Sequence, residues 1–290
     1  MAKAAFIGTG NMGVEMAARL INAGHDLRVF NRTAAKAAPL EKAGAYVASS
    51  PADAVQGAQA IFVMVGDDAA SDKVWNGETG ILTAELTPDV IAIECSTLSY
   101  DWVQTLSRTV EAKGLSYLDC PVTGVPAQAA VGDLTLLIGG KTEIIEKAQT
   151  FLSPLSSSYY HFGDIGAGTA YKLIINLMGS VHIVALAEGL LAAEKAGLDM
   201  GTVVKALSTG AVANTQVKSN GPVMISGKHD ENVGFSALWR LKDTDYGVKF
   251  ARQMGTAPAL GLESLKQFQK LVDEGYQDSS GSKVIDVMRR

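Results

Sequence analysis

The chain has 290 residues, 47% of them hydrophobic and 19% charged, which is enough for two domains with cores of their own and too apolar for a disordered chain. Its formal net charge of −5 excludes a general electrostatic drive towards nucleic acid or an anionic membrane and leaves room only for a local basic pocket. The two cysteines, Cys95 and Cys120, form no C-x-x-C pair and have no histidine neighbours, which argues against a disulfide framework or a cysteine-held metal and for a reducing, cytoplasmic compartment.

In chain order, the opening MAKAAFIG reads as a strand entering a glycine turn rather than a targeting signal. Strand Ala4–Ile7 leads to a helix at Met12–Ala23, then strand Asp26–Phe30 and a helix around Ala34–Ala43. Tyr46–Ala48 is short and extended, and Ser50-Pro51 opens a helix with Ser50 as its cap. Ala60–Val65 and Val90–Glu94 are continuous apolar strands of the kind covered on both faces, followed by strands at Tyr117–Asp119 and Leu134–Ile138. Strands alternating with helices predict a doubly wound, mostly parallel α/β sheet. After Phe162 the alternation stops, and helices are predicted at about Ala167–Ala196, Met200–Ser208, Asp243–Gln253, Gly261–Asp273 and Ser282–Arg289. The expected organisation is a Rossmann domain over 1–163 and an all-α domain over 164–290, joined at the glycine-rich segment Gly163–Gly168 by the long helix. Its apolar run, Leu173–Ala193, is broken by Asn176, His182 and Glu188, so a buried helix is expected rather than a membrane span.

Gly8-Thr9-Gly10-Asn11-Met12-Gly13 fits G-x-G-x-x-G between the first strand and the first helix. There Gly8 permits the tight turn, Gly10 lets the backbone approach a pyrophosphate, and Gly13 lets helix pack on strand. The helix N-terminus offers N–H groups and the positive end of its dipole to the anion. The second strand ends Asn31-Arg32-Thr33, without the carboxylate that bonds the ribose 2′-hydroxyl in NAD-specific sites. Arg32 can instead fork onto a 2′-phosphate and Thr33 can donate to it, so NADP is the expected cofactor. Asn31 suits an NAD ribose as well, so use of NAD stays open.

Four signatures in order then give the chain a resemblance to the β-hydroxyacid dehydrogenase family, which includes 3-hydroxyisobutyrate dehydrogenases and glyoxylate/succinic semialdehyde reductases. They are the loop Phe6–Gly13, the segment Asp119-Cys120-Pro121-Val122-Thr123-Gly124-Val125 followed by Ala129, Gly132 and Leu134, the run Gly166, Gly168, Lys172 and Asn176, and Leu241-Lys242-Asp243. Two positions depart from the family pattern: Thr123 stands for its serine and Val125 for its second glycine. The added methyl narrows the pocket, and the valine is expected to alter the turn, so both bear on substrate identity.

The resemblance implies hydride exchange between a nicotinamide and a small 3-hydroxy acid or aldehyde acid, with Lys172 as general acid and base. Desolvation brings a lysine into range for giving and taking a proton near neutral pH. Asn176, four residues on and on the same helix face, would hold the reacting oxygen or orient the ammonium. Thr123 and Gly124 would bind the substrate carboxylate. Val65-Gly66 would lie along the adenosine side of the cofactor, Ser96 and Thr97 beside the nicotinamide ribose and substrate, and Lys242 would reach back to the cofactor, with Asp243 in support. His25, His161, His182 and His229 fit no triad or metal spacing, so no metal is expected. A small carboxylate is the expected partner, with neither nucleic acid nor membrane, and the long apolar helix predicts a homodimer or homotetramer. Two other readings share the fold: an imine reductase, a group that generally lacks the lysine, and a non-catalytic NADP-binding module.

Overall fold

Short strands, most of them apolar, alternate with helices in the first unit of this computed structural model, which describes residues 2–290. Its elements in order are β1 (Lys3–Ile7), α1 (Asn11–Asn22), β2 (Asp26–Phe30), α2 (Ala38–Lys42), β3 (Tyr46–Val47), α3 (Pro51–Ala54), β4 (Ala60–Val63) and α4 (Asp68–Asn76). There follow β5 (Ile91–Glu94), α5 (Tyr100–Ala112), β6 (Ser116–Asp119), β7 (Val122–Thr123), α6 (Pro126–Val131), β8 (Leu134–Gly139), α7 (Thr142–Leu152) and β9 (Ser156–Gly163). The sheet order is β3-β2-β1-β4-β5-β6-β8-β7, with β9 paired to β8. The strands from β3 to β6 run parallel, as expected for a doubly wound fold.

The sheet alternates its side chains between two cores. Ala4, Phe6, Ala60 and Phe62 join one cluster and Ala5, Ile7, Ile61 and Val63 the other, all buried. Continuous apolar strands therefore mean coverage on both faces. Ser50 caps α3 by accepting from Asp53 N, the role its place before Pro51 implies.

The far side of the sheet departs from the parallel expectation. β8 runs antiparallel to β6 and β7, and β9 then runs parallel to β8. The β9 sequence, SSSYYHFG, is polar and largely exposed, so no apolar pattern marks it as a strand. Helices α4, α5, α6 and α7 add to the elements expected from the sequence.

Compact packing divides the chain after Lys172, where the expected boundary followed residue 163. The long helix α8 (Ala167–Lys195) starts in the first unit and continues in the second. The second unit, Leu173–Arg290, adds α9 (Met200–Thr209), α10 (Thr215–Ser226), α11 (Ala237–Gln253), α12 (Ala259–Asp273) and α13 (Val284–Met288) around Ile183, Leu186, Leu190, Phe268 and Leu271. α10 contains Pro222, which hides it from a periodicity reading, and α11 starts at Ala237, ahead of the expected Asp243. Among the described residues, α8 is the one helix long and apolar enough to cross a membrane, with a mean hydropathy of 1.7 over its most apolar window.

Candidate functional site

The glycine loop has the conformation that its spacing implies. Gly8 sits at φ +98°, where a side chain would be strained, and a Cβ there would lie 2.1 Å from Met64 O. A Cβ on Gly13 would lie 2.0 Å from Gly8 O, so the helix approaches the turn as closely as backbone allows. Gly10 differs: a Cβ on it would meet nothing within 4 Å. It is also the N-cap of α1, with no side-chain cap and no acidic residue in the first turn. The first amides of α1 therefore face open space with their dipole uncompensated, a fit for a dinucleotide pyrophosphate. Thr9 is buried, and its Oγ1 has no hydrogen-bond partner among the described residues.

Asn31, expected at the ribose, also braces the loop: Thr9 N donates to its Oδ1 at 3.0 Å, and its Nδ2 donates to Thr33 O at 3.0 Å. Arg32 and Thr33 are exposed just beyond β2, and Arg32 has no ion pair among the described residues.

The ends of β4 and β5 are fastened together. Val65 N donates to Ser96 Oγ at 2.8 Å, and Ser99 gives both its N–H and its hydroxyl to Asp68 at 2.9 and 2.6 Å. Ser96 was expected to touch substrate, but it is 1% exposed and its hydroxyl is directed to Val65 N and Val63 O, which makes it a brace between two turns. Thr97 and Gly66, beside it, are half-buried. Beneath them lies Glu94, fully buried at the end of β5. It accepts from Ser96 N at 3.1 Å, the Trp75 indole N–H at 2.9 Å and the Ser71 hydroxyl at 3.2 Å. Burial pushes its carboxyl up to about 7 in spite of these donors.

Asp119 governs the start of α8. Its carboxylate, buried at the end of β6, accepts from Gly166 N at 2.6 Å and Thr169 N at 2.7 Å. These amides are at the N-cap and third positions of the helix, so a carboxylate from a distant strand does the work of a cap. Burial raises its pKa, and the two N–H donors oppose that shift. Gly166 takes φ +93°, and a Cβ on Gly168 would lie 2.2 Å from Leu137 O, so the G-x-G pair lets the helix start turn tightly against β8. Lys172, one turn further, donates from Nζ to Val122 O at 2.9 Å. The ammonium is thus anchored next to the Thr123-Gly124 turn. Gly124 has φ +141°, and a Cβ there would clash with the Leu134 side chain at 2.6 Å. Val125 lies at φ −121°, ψ 164°, ordinary extended backbone, and its N–H donates to Gln128 Oε1 at 3.1 Å.

In the second unit, Asn176 Nδ2 donates to Asp243 Oδ2 at 2.7 Å. Lys242 Nζ lies 3.1 Å from Asp243 Oδ1, an ion pair by distance whose angle does not make a hydrogen bond. The same ammonium lies 5.5 and 5.1 Å from the ring centroids of Trp239 and Tyr246. A cavity of about 480 Å³ elsewhere in this unit, lined by His182, Leu186, Leu207, Val212 and Val217, includes none of these residues. The anchoring of α8 by Asp119 and the clasp by Glu94 go beyond the sequence reading. The only signal for either is an acidic residue closing an apolar strand.

Comparison with known proteins follows the same lines. The family described as the NAD-binding domain of 6-phosphogluconate dehydrogenase matches residues 3–163. The one described as NAD-binding of NADP-dependent 3-hydroxyisobutyrate dehydrogenase matches residues 166–288. An uncharacterized oxidoreductase of Shewanella frigidimarina is 35% identical over 88% of this chain and 87% of its own. The NAD-dependent L-serine dehydrogenase of Pseudomonas aeruginosa is 30% identical over 98% of this chain and 97% of its own. The structure of Mycobacterium tuberculosis 3-hydroxyisobutyrate dehydrogenase with L-serine superposes with a TM-score of 0.89 at 27% identity, covering 100% of both chains.

Proposed function

The chain belongs to the β-hydroxyacid dehydrogenase family of nicotinamide-dependent oxidoreductases, and on that premise we propose that it exchanges a hydride between NADP(H) and a small 3-hydroxy acid or the matching aldehyde acid, with Lys172 moving the proton. The observation that carries this reading is the 2.9 Å bond from Lys172 Nζ to Val122 O, which holds the ammonium beside Thr123 and Gly124. The Thr123 hydroxyl and the Gly124 N–H bind the substrate carboxylate, and the lysine faces the hydroxyl-bearing carbon further along the substrate. A nicotinamide cofactor, which the glycine loop Gly8–Gly13 would hold by its pyrophosphate, would supply the hydride acceptor for oxidation at that carbon and the hydride donor for reduction. Lys172, as the neutral amine, accepts the carbinol O–H proton as the carbonyl forms, and as the ammonium gives it back. Val122 O fixes one N–H of the lysine, and Asp119 fixes the helix turn below it, so the proton donor is preorganised.

Arg32 and Thr33, exposed after β2 with no carboxylate at the strand end, support NADP over NAD. The L-serine dehydrogenase relative is NAD-dependent, so the preference rests on these residues alone.

The test is Lys172→Ala. Turnover of 3-hydroxy acids is expected to fall by about 10² to 10⁴-fold, the usual contribution of a positioned proton-transfer group. NADPH binding, followed by its fluorescence, is expected to persist. Turnover equal to the parent's removes the lysine from the mechanism.

A further inference from the structure

Helix α11 carries Lys242 and Asp243, and Asp243 accepts from Asn176 at 2.7 Å. Its first turn has no cap of its own: Ser236, at the N-cap, makes no side-chain bond to the helix, and no acidic residue stands in the turn. Two of the orphan amides are satisfied by the C-terminal segment instead. Ala237 N donates to Ser279 O at 2.7 Å, and Leu238 N donates to Gln277 O at 3.0 Å. The segment that leads into α13 therefore fixes the start of α11 from outside the helix.

The loop ahead of α11 holds that segment in turn. Ser280 N donates to His229 O at 2.9 Å, the Ser279 hydroxyl donates to Asp230, and Lys283 Nζ lies 3.4 Å from the same carboxylate. At the centre is the His229 ring, 1% exposed. Its Nδ1 is bonded to the buried Ser282 hydroxyl at 2.9 Å, and Ser282 donates to Ser280 Oγ at 3.0 Å. Its Nε2 is buried without a hydrogen bond, 3.5 Å from Asp286 Oδ2. Asp286 is already engaged by Arg289 at 2.7 Å, and Arg289 also reaches Glu194 at 3.0 Å. Around the ring, Asp286 and Asp230 favour its charged form and Lys283 and Arg289 oppose it. Burial is the largest influence and holds the imidazole below its ordinary value, so the neutral ring is the one that fits.

We propose that His229 is a positioning residue for the Lys242-Asp243 pair: its neutral ring pins the segment Gln277–Asp286, and the carbonyls of that segment hold the first turn of α11. This rests on the hydroxy-acid reading above, in which Asn176, bonded to Asp243, serves the reacting oxygen. His229 takes no part in the proton or hydride step. Below pH 6.5 a released ring takes up a proton that the pinned ring excludes, so the clamp weakens as pH falls and is complete above that value.

The test is amide exchange in the full chain, read at Ala237 and Leu238 and corrected for the intrinsic effect of pH, with amides in the middle of α12 as reference. Protection at the two positions is expected to drop from pH 8 to pH 5 while the α12 amides hold. His229→Asn keeps a donor near the place of Nδ1 and does not titrate, so it is expected to retain protection at pH 8 and to lose the dependence on pH. Ser282→Ala, which removes the partner of the ring, is expected to cost about fivefold in protection at pH 8, the scale of one hydrogen bond. In turnover of 3-hydroxy acids, kcat is expected to fall less between pH 8 and pH 5 in His229→Asn than in the parent. Protection that is the same at both pH values, that falls alike in parent and His229→Asn, or that is lost in α12 in parallel overturns the proposal. If His229→Asn fails to fold by circular dichroism, the parent's pH dependence and Ser282→Ala decide in the same way. A clamp that opens with acid in a chain that turns over no hydroxy acid keeps the pin and rejects the reaction. Turnover whose acid limb is identical in parent and His229→Asn keeps the reaction and rejects the positioning role.

Discussion

Val125 replaces a glycine of the family pattern in the turn that follows Thr123 and Gly124, and its backbone shows why the exchange is tolerated. At φ −121° it is in extended backbone open to any residue, and the positive φ that demands glycine falls one residue earlier, on Gly124. The valine therefore needs no unusual backbone, and it adds an apolar side chain, 55% exposed, beside the turn. Gly124→Ala is accordingly predicted to be the damaging substitution, through strain at φ +141° and collision with Leu134, and Val125→Gly a mild one for stability. Thermal melting of both variants checks the order. Arg32 makes a second residue-scale prediction. Exposed and without an ion pair among the described residues, it is available to a 2′-phosphate, so Arg32→Ala is expected to weaken NADPH by about tenfold or more while leaving NADH nearly unchanged. Parallel titration with the two cofactors reads this directly, and equal losses for both would assign Arg32 another role.

At the scale of elements, the candidate site depends on two buried carboxylates that close neighbouring strands. Asp119 caps α8 from β6, and Glu94 ties α4 to the turn after β5 through Trp75, Ser71 and Ser96. Glu94 gives this network a pH dependence. Its folded-state pKa, about 7, stands above the ordinary 4.5, so between these values the folded chain holds a proton that the unfolded chain has released. Stability falls as pH rises through this window and levels off above 7, by at most about 3 kcal/mol for this group. In Glu94→Gln, which does not titrate, that fall is expected to disappear. Urea unfolding of parent and variant at pH 5 and pH 8 measures the difference, and equal pH dependence in the two would show that Glu94 does not titrate there.

These two carboxylates also mark how far the sequence was legible. The glycine loop was readable because its chemistry is local, residues two to five apart fixing the turn, whereas the role expected of Lys172 came only with the family resemblance. Asp119 bonds amides 47 and 50 residues away, and no spacing rule reaches that far. β9 was hidden by its polar, exposed composition, and the antiparallel β8 by an apolar run that looks the same in either direction. The brace that Ser96 makes to Val65 N is illegible for a related reason. A serine at a strand end can face a ligand or brace the next turn, and only the third dimension decides.

For the whole molecule, the remaining question is what covers α8. Its 29 residues include an 18-residue window of which 44% is buried within one chain, and Ile174 and Met178 stand 44% and 53% exposed one turn apart. Apolar surface left in water forgoes about 25 cal/mol for each Å² that a partner would bury. Lipid is a poor candidate, because Glu188 is exposed on the helix and Asn176 and Ser180 are bonded to the polar Asp243 and Thr244. A second copy of the chain meets the same surface without placing a charge in hydrocarbon. A closed dimer or tetramer is therefore predicted, with light scattering at micromolar concentration giving at least twice the 30.4 kDa of one chain in the absence of detergent. A single-chain mass would mean that α8 tolerates its exposed face, and recovery only with detergent would return the membrane to consideration.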